Sequence, residues 1–240
     1  MRRQAWLVAF GLVVGIAGSA PAHASEIIDF GTGLAGAGGH MSYGGGNGPL
    51  VGSGILLGAL TAVGTPSNEG VSLTSGPAAC GFPSFCAQLD FTTGDLDSYS
   101  NGVYAFKPGG SFVITGGVQG TGITNQPLLW GSFTGDSVLD GGQLHFSATG
   151  NDNVSTQLLS YFGIAAGTSF EFVGSIIGAN LGSLGSYNGG PFNVTAISSD
   201  ISSVNTPEPA SLALLAVGAS LAGVRKLRRR RLATLGQAAA

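Results

Sequence analysis

Between Ala87 and Ile197, apolar and polar residues alternate in short runs separated by turn-forming residues. Period-two alternation is plain in Ala87–Phe91, Gln143–Phe146 and Ser169–Phe172. That spacing sends successive side chains to opposite faces of an extended strand. Val103–Phe106, Ser111–Thr115, Leu128–Trp130 and Phe192–Ile197 are rich in aromatic and β-branched residues and predict further strands. Lys107-Pro108-Gly109-Gly110, Ser100-Asn101-Gly102, Asp140-Gly141-Gly142 and Asn188–Pro191 predict the turns between them. Only Thr156–Ile164 suggests a helix, and a short one. The glycine-dense stretch Gly31–Gly48 reads as loop, the apolar Leu50–Val63 as a hairpin, and the polar Ser198–Asn205 as a linker. The expected architecture is all-β, a β-sandwich or barrel-like domain over residues 25–197.

The two ends follow other patterns. Met1-Arg2-Arg3, the apolar run Ala5–Ala20 and Ala22-His23-Ala24 form a signal peptide over residues 1–24, with cleavage expected between Ala24 and Ser25. Near the other end, Ala210–Val224 holds only Ser211 and Ser220 as polar residues. Those fifteen residues cover about 22 Å as a helix, and counting on to Leu227 brings the run closer to the ~30 Å hydrocarbon core. Arg225, Lys226, Arg228, Arg229, Arg230 and Arg231 follow at once. The positive-inside rule then places this basic anchor in the cytoplasm and all that precedes Thr206 outside. The ends together predict an exported domain held by a C-terminal transmembrane helix, with residues 232–240 as a cytoplasmic tail.

Setting the ends aside changes the charge. Residues 25–205 hold Lys107 as their sole cation against eleven acids, a net charge of about −10, where the whole chain carries −3. Nucleic acid is excluded as a partner, because phosphate binding needs clustered Lys and Arg.

Pro207-Glu208-Pro209 stands at the start of the apolar run. Each proline fixes φ and lacks an N–H, so the segment is extended where the membrane helix begins. Pro207-Glu208-Pro209-Ala210-Ser211-Leu212, the short span and the arginine cluster together resemble the PEP-CTERM sorting signal of Gram-negative bacteria. The resemblance covers residues 206–231. It implies that Pro207, Glu208 and Pro209 are recognised by an exosortase, a membrane protease/transpeptidase, after export through the secretion translocon. It also implies delivery of the domain to the cell surface or an exopolysaccharide matrix.

Inside the domain no catalytic signature stands out: there is no H-E-x-x-H, no G-x-S-x-G and no paired-Glu pattern, and His40 and His145 stand alone. Gly31-Thr32-Gly33-Leu34-Ala35-Gly36 matches G-x-G-x-x-G in letters only, since no helix-forming run follows. Cys80 and Cys86, exported and with five residues between them, read as a local disulfide. Asp90, Asp95 and Asp97, with Asn101, are a weak calcium candidate, as oxygen ligands suit Ca²⁺ but the spacing is not that of an EF-hand. Trp130 with Tyr99, Tyr104, Tyr161 and Tyr187 offers material for a sugar-stacking platform. The sequence therefore points to a non-enzymatic surface or matrix protein without a cofactor. The alternative is a carbohydrate-binding module, calcium-dependent if the acidic cluster assembles.

Overall fold

Alternation of inward apolar and outward polar side chains is what the chain uses to close a sheet on itself. The computed structural model describes residues 27–32, 38–68, 71, 73–74, 87–141, 145–179 and 190–205. The signal peptide, the Cys80 and Cys86 loop, Tyr187 and everything from Thr206 onward lie outside the described residues. The strands are β1 Ile27–Gly31, β2 His40–Tyr43, β3 Pro49–Leu57, β4 Ala59–Val63, β5 Leu73–Thr74, β6 Ala87–Ser100 and β7 Val103–Phe106. They continue with β8 Gly110–Val118, β9 Ile123–Phe133, β10 Ser137–Asp140, β11 His145–Val154, β12 Phe170–Ala179 and β13 Phe192–Asn205, and among the described residues one helix, α1, Thr156–Phe162, precedes β12.

All pairings are antiparallel, and several strands are halves of one broken wall. β1 and β2 run in succession along β13, and β4 and β3 in succession along β1 and β2. β7 and β8 do the same along β6, and β9 and β10 along β11. The result is eight walls in chain order, β1/β2, β3/β4, β6, β7/β8, β9/β10, β11, β12 and β13. The last wall hydrogen-bonds the first. This is an up-and-down barrel, so the barrel-like expectation holds and the walls leave few free edges. Each wall pairs with its neighbour in sequence apart from the closing seam, where Ile27 faces Val204.

Turn chemistry fixes the hairpins. Asn101 and Gly102 both adopt positive φ, 53° and 84°, as a two-residue loop matched to strand twist requires. Aromatic rings pack in the interior alongside aliphatic side chains such as Leu50, Ile55 and Ile114. Tyr43, Tyr104, Phe106 and Phe192 cluster toward one end, and Phe91, Phe112, Phe133, Phe146 and Phe172 pack through the middle. Gly52 makes room for this packing, because a Cβ there would sit 2.0 Å from the Phe91 ring. α1 closes the other end with Leu158, Leu159 and Phe162 buried. Ser155 caps it by accepting the Leu158 N–H at 3.2 Å, and Gly163 ends it in the left-handed conformation at φ 73°.

Three expectations change. Gly31–Gly48 is not all loop, because His40–Tyr43 forms β2 with Met41 and Tyr43 buried. Leu50–Val63 is not a hairpin: β3 and β4 run on past Gly58 in one direction and pair with β2 and β1 instead of each other. Ser198–Asn205 is not a linker but the second half of β13, with Ile201 and Ser203 turned inward. Serines at inward positions hid the alternation.

Candidate functional site

Trp130 is placed by β9 on the outer wall and is 41 % exposed. Val113 on β8 and Asn153 on β11 lie directly opposite it. One rung on, Ser132 faces Asn151, which faces Glu171 on β12, all exposed. A large aromatic face thus lies beside Val113 among amide, hydroxyl and carboxylate side chains, a surface suited to stacking against a sugar ring. The other aromatics named with it do not join. Tyr104 is buried, and Tyr99 packs on it at 4.7 Å. Tyr161 instead lines an open hollow of about 470 Å³ between the β8–β9 turn and α1, with Gly120, Gly122, Gln157 and Ser160.

The acidic candidates are strung along β6. Asp90 accepts the Gly54 N–H at 2.9 Å and lies 3.4 Å from the Gln88 amide, so it supports the bend in β3. Asp95 and Asp97 are exposed five and seven residues further on, and five residues of strand span about 17 Å. Among the described residues no three His, Cys, Asp or Glu side chains gather closely enough to hold a metal ion.

Three polar arrangements arise from strand pairing and have no local signature in the sequence. His145 is not isolated: its Nε2 lies 2.8 Å from Ser175 Oγ on β12, and Asp140 on β10 stands directly opposite it. These are the residue types of a nucleophilic triad. Ser175 lies mid-strand in an internal wall, however, so the N–H groups around it are spent on the ladder and leave no oxyanion donors.

The second arrangement is a carboxyl pair. Asp29 on β1 receives the Ser202 hydroxyl at 3.2 Å and shares the outer face with Thr61 and Asp200. Partial burial, together with the adjacent Asp200 carboxyl, pushes Asp29 up to about 6.

The third is Asp152, turned into the core at 7 % exposure. Neither of its oxygens, nor the Ser203 hydroxyl, makes a well-formed hydrogen bond to the protein. Burial pushes Asp152 up to about 6, with the nearby Ser203 hydroxyl opposing and the Glu171 charge adding to the shift.

The sorting segment lies beyond the last described residue, but its root is defined. Val204 pairs with Glu171 on one side and Ile27 on the other, and Asn205 pairs with Phe170. Pro207 therefore follows a wall strand by two residues. The basic anchor Arg225–Arg231 and the cleavage site at Ala24 and Ser25 lie outside the described residues, as do Cys80 and Cys86. Among the described residues no helix is long and apolar enough to cross a membrane.

Compared with known families, residues 205–231 match the PEP-CTERM protein-sorting motif. No curated protein and no solved structure matches the chain. The motif implies exosortase-dependent sorting of an exported protein through a membrane-associated intermediate.

Proposed function

From a chain whose residues 205–231 are a PEP-CTERM protein-sorting motif, we propose a non-enzymatic exported barrel, delivered by an exosortase to the cell surface or the exopolysaccharide matrix. The observation that carries this reading is the direct join between motif and barrel: the matched segment begins at residue 205, where β13 ends. The strongly acidic, lysine-poor domain suits a solvated exterior, and the triad-like residues on the outer wall lack the donors that acyl transfer needs. Intact-mass analysis of the surface fraction tests it. The expected species begins at Ser25 and lacks the Arg225–Ala240 end. Full-length chain remaining in the inner membrane of a processing-competent cell would contradict it.

Trp130 favours a second reading, a carbohydrate-binding surface within the same destination. Retention on immobilised polysaccharide that Trp130→Ala abolishes would support it. No retention on neutral or acidic polysaccharides would remove it.

A further inference from the structure

The barrel and the membrane segment are joined by almost nothing. β13 is hydrogen-bonded on both sides up to its end, and the apolar run begins at Ala210. Five residues of fully extended chain reach at most about 18 Å. Two of those five are prolines, which favour the slightly shorter polyproline rise. The headgroup layer itself takes up roughly 5–8 Å on each side of the hydrocarbon. A barrel held by such a tether has its α1-capped end against the bilayer surface, with the β13 edge of the rim nearest.

That rim has a distinct surface. Val63 on β4, Ile27 on β1 and Val204 on β13 lie in one cross-strand row, which the exposed Glu171 on β12 continues beyond Val204. They share the outward face, with Val63 58 % exposed. The loop entering β12 adds the exposed Ala165 and Ala166. One rung further from the exit the same face turns polar, with Thr61, Asp29 and Ser202. Three aliphatic side chains at the tether, flanked by Glu171 and backed at once by a polar row, fit a shallow contact with a membrane interface.

We propose that the rim formed by Val63, Ile27, Val204 and the Ala165–Ala166 loop is a membrane-apposed face that rests on the outer surface of the bilayer while the tail is uncut. The fitting partner is a lipid surface engaged through shallow apolar contact, because among the described residues this rim offers no cation to an anionic headgroup. The enzyme that reads Pro207–Pro209 then works in the narrow gap between barrel and bilayer, and β13 keeps residues 200–205 from being drawn out as extended substrate. The proposal rests on the tail spanning the membrane, and its test separates the two.

Full-length protein is reconstituted in phosphatidylcholine vesicles carrying nitroxide lipids, with an environment-sensitive dye on one introduced cysteine. Labelling is done without reductant, and the parent chain serves as the blank. Val63→Cys reports the rim, Ser100→Cys the opposite end of the barrel and Val217→Cys the span. The expected result is strong quenching of Val63→Cys by headgroup nitroxide, none of Ser100→Cys, and quenching of Val217→Cys by nitroxide deep in the acyl chains. Inserting about twenty Gly/Ser residues after Asn205, with a root-mean-square reach of about 25 Å, should abolish the Val63→Cys signal and spare that of Val217→Cys. Quenching at Val217→Cys without quenching at Val63→Cys overturns the apposed face alone. No quenching at Val217→Cys removes the spanning tail and the face together.

Discussion

β6 and β13 are the two longest strands described, fourteen residues each, and each serves two partners in succession along one side. They bury different things. β6 turns Ala87, Leu89, Phe91 and Thr93 inward, and Phe91 stacks on Phe146 at 4.9 Å. β13 starts in the same way with Phe192, Val194 and Ala196, then turns Ser199, Ile201 and Ser203 inward. The hydroxyls of Ser199 and Ser203 are buried without a well-formed hydrogen bond to the protein. In the second half of β13 a single aliphatic side chain anchors the wall, and the ladders on both sides do the rest. The sorting tail leaves from the more polar half of β13. Backbone pairing, more than side-chain burial, therefore determines how firmly the motif is rooted.

The largest expected effects come from removing each wall's anchor. Leu89→Ala and Ile201→Ala each delete a fully buried side chain and should cost about 2–5 kcal/mol in urea unfolding. The difference should lie in local behaviour. Ile201→Ala should speed amide exchange across residues 198–205 and leave β6 protected, whereas Leu89→Ala should not select β13. Equal loosening of both walls by either change would break the comparison.

Asp152 comes next. Its folded pKa is raised to about 6 against an ordinary 3.8, so the native state binds more protons than the unfolded chain between those values. Stability should therefore fall as pH rises from about 4 to about 6 and level off above that. Asp152→Asn should remove most of this slope and raise stability at neutral pH by about 1–3 kcal/mol, read from thermal melts across pH. A profile no flatter than the parent's would show that the Asp152 carboxyl is not the source.

Asp29→Asn should act in the same direction but more weakly, because Asp29 is only half buried and part of its shift comes from the solvent-facing Asp200. The smallest effect on stability is expected for Trp130→Ala, within about half a kcal/mol for an exposed side chain. The same change would abolish polysaccharide retention if that surface binds sugar.

Aromatic and β-branched alternation made Ala87–Phe91, Val103–Phe106, Ser111–Thr115 and Phe192–Ile197 readable as strands, and Asn101-Gly102 readable as a turn. The closing seam was not readable. Ile27 and Val204 meet only because the six walls between theirs have brought them together, and no local pattern encodes that. Ser198–Asn205 looked like a linker because serine reads as polar wherever it points, and burial depends on the walls around it. His145 looked solitary for a related reason, since Ser175 lies thirty residues away on another wall. Trp130 was visible as a residue type, and its exposure was fixed only by its place on β9. The sorting motif, by contrast, was legible, because such motifs are read as linear sequence.

Amide hydrogen exchange on the full-length chain tests most directly whether the motif grows straight from the wall. The account predicts that residues 198–205 are protected to the same degree as Ala87–Thr93 of β6. Exchange across 198–205 as fast as in a free polar linker would mean that the barrel ends before Ser198, and would contradict it.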